Sequence, residues 1–264
     1  MIGTSEMEAS IEKRLIAANS TIRLVSCADR QIAQILRPVW VDGLSTAPGS
    51  TDEIPIELDL GRPVRNTQKS NAVHAAGKLF SPKNERLMGW ESHLEKRAMI
   101  LLECDPTVMR YCVQPMTLRY ELDGKQRHYT PDIFVWRGDK LQILEIKPST
   151  TAVKEANRLR FALFARFFRA FSVSFMILDE TAIDIQPRQQ NCQFLLRHGG
   201  EAVSPTDLYL LCTALSGGSA TVSDVAGRLS GSRRLSRVYA AVLRGHALID
   251  HRVPVSEHSL LRLP

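Results

Sequence analysis

The chain has 264 residues, of which 44% are hydrophobic and 23% are charged. This composition is ordinary for a globular protein with a sizeable core, so we do not expect disorder to be its main state. Lysine and arginine number 34 against 28 acidic residues, and the net charge of +6 is compatible with nucleic acid binding but does not require it. No stretch approaches the roughly 20 apolar residues of a membrane span. The N-terminal MIGTSEMEASIEKRL lacks the apolar segment of a secretory signal, so we expect a soluble cytoplasmic protein.

The cysteines and histidines show neither a zinc pattern nor a disulfide framework. The five cysteines are odd in number and widely scattered, without a CxxC pair, and the seven histidines have no zinc spacing beside them. We therefore expect free thiols in a reducing compartment and no structural zinc.

Few structural signals precede residue 80. Residues 6–18 (EMEASIEKRLIAA) predict a short amphipathic helix and APGSTDEIP at 47–55 predicts a loop, but residues 19–80 as a whole permit no fold assignment. The pattern sharpens at GWESHLEKRAMILLECD (89–105), where apolar residues at helical spacing predict a helix with one buried face. Pro106 prevents this helix from continuing.

Four strand-like segments follow, each rich in β-branched and aromatic residues. They are VMRYCVQP (108–115), MTLRYELD (116–123), YTPDIFVW (129–136) and LQILEIK (141–147). Asp123-Gly124 predicts a hairpin turn. TAVKEANRLRFALFARFFRAF (151–171) then predicts a long helix, and SVSFMILD (172–179) a buried strand. Strand, helix and strand in this order predict a right-handed crossover and an α/β layer.

The C-terminal residues predict a separate arrangement of three short helices. The first begins after Ser204-Pro205, the second opens with a capping box from Thr221 to Asp224, and the third spans 231–245. HALIDHRVPV (246–255) then predicts a small hairpin. This order of elements is the outline of a winged helix.

The main chemical signal is a set of charged residues within the predicted strands. Glu145 and Lys147 are two residues apart in an apolar strand, so their side chains leave the same face of the sheet. If this strand pairs with its predecessor across Gly138-Asp139, Asp132 lies near them. Such a group could hold a hard divalent cation such as Mg²⁺ beside a lysine that stabilises negative charge. A structural ion pair at a strand end is the alternative.

Glu95 is a further carboxylate, on the helix that precedes the strands. If its side chain reaches the strand ends, it would complete a metal site. A single glutamate on a helix is, however, more often a solvated residue.

The order of Glu95, Pro131-Asp132 and Glu145-Ile146-Lys147 resembles the PD-(D/E)XK restriction-endonuclease-like superfamily. A longer part of the sequence, about residues 75–180, resembles TnsA, the endonuclease subunit of heteromeric transposases. The segments that carry this resemblance are ESHLEKRAMILLECDPTVMRYCVQP, RHYTPDIFV and LEIKPS. The resemblance implies a catalytic triad of Glu95, Asp132 and Lys147, with Mg²⁺, for which Mn²⁺ can substitute, held by Glu95, Asp132 and Glu145. Glu145 matches a variable acidic position, and Gln114 matches a recurrent Gln-Pro whose glutamine supports the site.

The fold implied by this resemblance is α/β, with a mixed sheet flanked by helices as the restriction-endonuclease-like core. We expect an unassigned N-terminal extension (1–74), the nuclease domain (75–180) and a linker with a small winged-helix domain (181–264). The implied function is cleavage of the 5′ ends of a transposon during excision, in a prokaryotic cytoplasm at the nucleoid. The implied partners are transposon-end DNA, a TnsB-like transposase and a TnsC-like ATPase regulator, and an RNA-guided targeting complex is a further candidate.

Two sets of basic residues are candidates for contact with DNA phosphates, as against an ordinary solvated face. They are Arg158 and Arg160 on the crossover helix, and Arg233, Arg234 and Arg237 at the third C-terminal helix. For the C-terminal region we favour docking to the ATPase regulator. Two other functions stay open: a stand-alone restriction or repair nuclease of the same fold, and a catalytically silent adaptor between DNA and protein.

Overall fold

The computed structural model describes residues 22–36, 57–58 and 76–264. The helix expected at 6–18 and the loop expected at 47–55 lie outside these residues. The chain divides into two compact units. The first unit holds Tyr111–Asp179 together with the described residues before Gly77, and the second holds Gly77–Arg110 and Glu180–Pro264. The domain boundaries expected from the sequence stay a prediction.

The described residues form short strands and helices. The strands are β1 (Arg23–Cys27), β2 (Glu57–Leu58), β3 (Gly77–Ser81), β4 (Arg86–Trp90), β5 (Val108–Val113), β6 (Met116–Leu122), β7 (Lys125–Tyr129), β8 (Ile133–Arg137), β9 (Lys140–Ile146), β10 (Val173–Leu178), β11 (Ser219–Thr221), β12 (Leu248–Ile249) and β13 (Leu260–Arg262). The helices are α1 (Arg30–Leu36), α2 (His93–Cys104), α3 (Ser149–Ala152), α4 (Glu155–Arg169), α5 (Glu180–Ile183), α6 (Arg188–Leu196), α7 (Pro205–Leu215), α8 (Val222–Arg228) and α9 (Arg234–Leu243). Among the described residues, no helix is both long and apolar enough to cross a membrane.

The first unit contains two mixed sheets. One has the strand order β2-β1-β6-β7, with β1 parallel to β2 and antiparallel to β6. The other has the order β10-β9-β8-β5, with β8 antiparallel to β9 and β9 parallel to β10. The adjacent, parallel β9 and β10 are joined through α3 and α4, as the strand–helix–strand prediction required.

The apolar face of α4 packs into the core of the first unit. Its buried residues are Phe161, Leu163, Phe164, Phe167 and Phe168. The long helix predicted over 151–171 is in fact two helices, because Lys154 takes an extended backbone conformation between them. The burial expected of β10 is wrong: among the described residues this strand pairs with β9 alone, and Met176 and Ile177 are exposed.

The second unit is built around helices. The hairpin of β3 and β4 precedes α2, and the C-terminal region contains a three-stranded sheet of order β11-β13-β12 in addition to its helices. Both predicted caps are present, since Ser204 and Thr221 accept hydrogen bonds from the N–H groups of Asp207 and Asp224. The predicted C-terminal hairpin is displaced, because its second strand is β13 and not residues 251–255.

Several elements were missed from the sequence. The strands β1, β3 and β4 and the helix α1 lie in or beside the region that permitted no assignment, and Trp90, expected in a helix, ends β4. The strand β7 was missed because its first four residues are polar and exposed, so it shows no apolar alternation. It exists because the predicted turn at Asp123-Gly124 pairs it with β6.

Asn191 on α6 holds the segment that joins β12 to β13. Its amide nitrogen donates to the carbonyl oxygens of His251 and Val253 at 3.1 and 2.8 Å, and its Oδ1 accepts from the N–H of Val255 at 2.9 Å. One buried side chain therefore satisfies three backbone groups that have no strand partner of their own.

We expect Asn191→Ala to lower the free energy of unfolding by about 2–3 kcal/mol, because buried backbone groups lose their partners. Denaturation with urea measures this loss. The matched control is Gln190→Ala on the same helix, where the side chain is exposed and little change is expected. Equal midpoints for the two variants would contradict the assigned role of Asn191.

Candidate active site

The antiparallel pairing of β8 and β9 brings the predicted carboxylates together. Ile133 pairs with Leu144, so Asp132, directly before β8, lies opposite Glu145 near the end of β9. Lys147 follows β9 and its backbone N–H donates to the carbonyl oxygen of Leu178, which extends the pairing with β10. The sheet register therefore places all three side chains at one strand end.

Lys147 is the centre of this cluster. Its Nζ lies 2.9 Å from Oδ2 of Asp132, 3.1 Å from Oε1 of Glu145 and 3.1 Å from the carbonyl oxygen of Ile146. These three acceptors match the three N–H donors of an ammonium group. The Oδ2 atom of Asp132 also accepts from the N–H of Ile146 at 2.7 Å. The proximity of Asp132, Glu145 and Lys147 expected from the strand pattern is thus present.

Tyr129, at the end of β7, was not predicted as a site residue. Its hydroxyl donates to Oε2 of Glu145 at 2.6 Å, and its ring stacks on Phe164 with 3.8 Å between centroids. The Glu145 side chain is only 2% exposed, and each of its oxygens contacts a donor. Sequence spacing could not reveal this contact because it joins two strands that are not neighbours in the chain.

The electrostatics of the cluster are those of a buried, partly compensated charge. Burial raises the pKa of Glu145 and the nearby Asp132 raises it further, while Lys147 opposes both effects. Burial would lower the pKa of Lys147, but the two carboxylates outweigh it and the pKa is raised. Burial and Glu145 together hold the pKa of the Tyr129 hydroxyl well above its ordinary value, so this group stays a donor at neutral pH.

Gln114 supports Asp132 through its main chain. It lies between β5 and β6 with φ at 44°, a left-handed conformation that costs energy for a residue other than glycine. In this conformation its N–H donates to the carbonyl oxygen of Asp132 at 2.8 Å. Its buried Oε1 has no hydrogen-bond partner among the described residues. The contact is compatible with the supporting role expected of Gln114.

Glu95 belongs to the second unit and forms part of the start of α2. The N-cap Ser92 accepts from the N–H of Glu95 at 3.1 Å and donates its hydroxyl to Oε1 at 3.0 Å. The other oxygen, Oε2, accepts from the N–H of Glu91 at 2.8 Å. This is a variant of the capping box, a signal that Ser92-x-x-Glu95 carries in the sequence. The catalytic and metal-binding role of Glu95 stays a prediction.

The basic candidates differ in how far they are engaged within their own units. Arg158 and Arg234 are exposed, and the guanidinium of Arg160 lies 5.2 Å from the ring centroid of Phe161. Arg233 is exposed and pairs with Glu201 at 2.7 Å. Arg237 is only 18% exposed and pairs with Asp207 at 2.6 Å. Contact with DNA stays a prediction for these five arginines.

The donor set at the strand end fits a hard divalent cation. Asp132 and Glu145 supply carboxylate oxygens, the ligand type that Mg²⁺ prefers, and Mg²⁺ usually takes only one or two carboxylates besides water and phosphate. Within the part of the chain that the structure describes, no group of three or more His, Cys, Asp or Glu side chains could hold a metal. A magnesium ion here would therefore rely on few protein ligands.

The mixed sheets with flanking helices are compatible with a restriction-endonuclease-like core. Residues 105–180 match the family model of the TnsA-like endonuclease N-terminal domain. This segment is therefore similar to a TnsA-like endonuclease domain, which supports a nuclease of the Tn7 TnsA type. The match includes Gln114, Asp132, Glu145 and Lys147 but not Glu95. Comparison with curated proteins gives no significant match.

We expect Glu145→Gln to change how stability depends on pH. Because the pKa of Glu145 is raised in the folded protein, folding takes up a proton just above the ordinary carboxyl pKa of 4.5, and wild-type stability falls as the pH rises through this range. Glutamine does not titrate. The free energy of unfolding of the variant minus that of wild type should therefore increase with pH and become constant above the raised pKa.

Urea denaturation at a series of pH values, with EDTA present, measures this difference. The attraction of Lys147 for the Glu145 carboxylate is already contained in the shifted pKa of Glu145, because the ion pair forms only when this carboxyl group is ionised. Glu155→Gln, at an exposed position, controls for the removal of one negative charge. A difference between wild type and Glu145→Gln that does not vary with pH would contradict the assignment.

Proposed function

We propose that this protein is the Mg²⁺-dependent DNA endonuclease subunit of a heteromeric transposase, and that it cleaves the 5′ ends of the transposon during excision. One observation carries the proposal: Asp132, Glu145 and Lys147 meet at one strand end inside the TnsA-like segment. An adaptor without activity has no need of two carboxylates and a lysine in contact at this position.

The chemistry we propose is direct hydrolysis of a phosphodiester. When bound, Mg²⁺ supplies a Lewis acid that polarises a phosphoryl oxygen and lowers the pKa of a water molecule. Asp132 and Glu145 bind the ion, and Glu95 is a further ligand by resemblance. Lys147 places its ammonium beside these carboxylates, where it can stabilise the negative charge that develops at phosphorus. Water attacks directly, and no covalent enzyme intermediate is required.

The C-terminal region supports a docking role. Its elements follow in the order α7, β11, α8, α9, β12 and β13, which is compatible with a winged helix, and we propose this fold for it within the expected 181–264 domain. Arg233 and Arg237, at the start of the third helix, are bound to Glu201 and Asp207, which leaves them less available to read DNA. We therefore favour docking to a TnsC-like ATPase regulator, with a TnsB-like transposase and transposon-end DNA completing the assembly. An RNA-guided targeting complex stays a candidate partner.

We expect Asp132→Ala to abolish cleavage of transposon-end DNA and to remove the binding of Mn²⁺, used here in place of Mg²⁺, because the substitution removes a carboxylate ligand. Calorimetric titration measures binding, and a reconstituted reaction with the partner transposase measures cleavage. The control is Asp139→Ala, at the opposite, exposed end of the same pair of strands. Full cleavage by Asp132→Ala with a normal circular-dichroism spectrum would overturn the proposed function.

The same reaction separates the proposed function from its two alternatives. Cleavage of naked DNA by this protein without a partner would favour a stand-alone nuclease. If wild type does not bind Mn²⁺ even when end DNA is present, the adaptor becomes the better interpretation.

We expect Lys147→Met to lower the cleavage rate about 100-fold or more while Mn²⁺ binding persists, because the lysine stabilises developing charge and is not a ligand. Comparison of the cleavage rate at saturating Mn²⁺ with the calorimetric affinity checks both parts. Lys140→Met, at the exposed far end of β9, is the matched control. Unchanged cleavage by Lys147→Met would contradict the role of the lysine.

A further inference from the structure

Tyr129 and Glu145 form a buried contact that the proposed chemistry leaves unexplained. Both residues are almost inaccessible to solvent, and the Tyr129 hydroxyl donates to Oε2 of Glu145 at 2.6 Å. A short hydrogen bond from a neutral donor to a buried carboxylate is among the stronger contacts of its kind. It also restricts the rotation of the carboxyl group.

The tyrosine ring is itself held by packing. It stacks on Phe164 with an interplanar angle of 20°, and Phe164 is a fully buried residue of α4. Tyr120 contacts the same phenylalanine edge-on, with 5.1 Å between ring centroids. Aromatic rings packed in this way keep one orientation, so the position of the Tyr129 hydroxyl is set by the core of the first unit.

The two oxygens of Glu145 therefore have different roles. Oε2 is held by Tyr129, and Oε1 lies 3.1 Å from Nζ of Lys147, which in turn contacts Asp132. Without the tyrosine hydroxyl, the carboxyl group could rotate and both of its oxygens would compete for the same ammonium group. The hydroxyl thus determines which oxygen faces the strand end that carries Asp132.

We propose that Tyr129 is a positioning residue for the metal site, and that its hydroxyl orients the Glu145 carboxylate for cation binding. This inference rests on the proposed function. Its hydroxyl donates to Glu145, and in this proposal Tyr129 acts through that carboxylate. Partners of this kind that orient a metal ligand typically change metal affinity 10- to 100-fold when they are removed.

The variant that tests the proposal is Tyr129→Phe, which keeps the ring and its stack on Phe164 and removes only the hydroxyl. We expect the calorimetric affinity of the full-length protein for Mn²⁺ to fall about 10-fold or more. In the reconstituted reaction, cleavage should require correspondingly more Mn²⁺ and recover much of its rate at saturation. A role in stability alone would lower the unfolding midpoint without shifting this dependence on metal concentration.

Tyr120→Phe is the matched control, since it removes a hydroxyl from a buried ring packed on the same phenylalanine. It should leave the Mn²⁺ dependence unchanged. A double-mutant cycle with Glu145→Ala gives an independent result: once the carboxylate is absent, removal of the Tyr129 hydroxyl should have no further effect on Mn²⁺ affinity. The double variant also avoids an unpaired buried carboxylate, so its folding does not depend on the hydroxyl.

The inference would be overturned if Tyr129→Phe depended on Mn²⁺ as the wild type does, or if the effects of Tyr129→Phe and Glu145→Ala on Mn²⁺ affinity were fully additive. In either case, Mn²⁺ binding and cleavage by the wild-type protein would still support the proposed function. If the wild-type protein neither binds Mn²⁺ nor cuts with its partners, the proposed function fails and the inference fails with it.

Discussion

The candidate site depends on one electrostatic constraint: a nearly buried Glu145 carboxylate must be compensated. A buried charge is costly unless it is paired and hydrogen-bonded. Here Lys147 and Tyr129 each take one oxygen, and Lys147 also contacts Asp132. The contacts are therefore connected, and removal of one side chain leaves a neighbouring buried group without its partner, which destabilises the folded protein. Burying such a cluster costs free energy of folding, and this cost favours a chemical role for it.

Regular backbone pairing supplies the precision of this cluster. Antiparallel pairing of β8 with β9 sets Asp132 against Glu145, and Gln114 fixes the carbonyl of Asp132 from the preceding strand connection. The aromatic core beneath, centred on Phe164, fixes Tyr129. The charged groups thus need little reorganisation to reach their contacts, because the sheet and the apolar core have already placed the backbone from which they extend.

The local parts of the site could be predicted from the sequence, whereas its long-range contacts could not. The alternation of side chains along a strand placed Glu145 and Lys147 on one face, and the Asp123-Gly124 turn predicted a hairpin. In contrast, β7 is a strand only through its pairing with β6, and β1 pairs with a strand some 90 residues away. Neither has a local apolar period. For Glu95, a capping-box signal was also present in the sequence but was not recognised, and its proposed chemical role stays a prediction.

By itself, the sequence determined the features that depend on neighbours along the chain: the caps at Ser204 and Thr221, the apolar face of α4, and the spacing of Glu145 and Lys147. These follow from backbone geometry that repeats over a few residues. Tertiary structure alone decided that Tyr129 meets Glu145, that Gln114 holds the main chain of Asp132, and that Arg237 is paired with Asp207. Each of these contacts joins residues that are far apart in the sequence and are brought together by strand register or helix packing. A local sequence pattern does not predict such contacts.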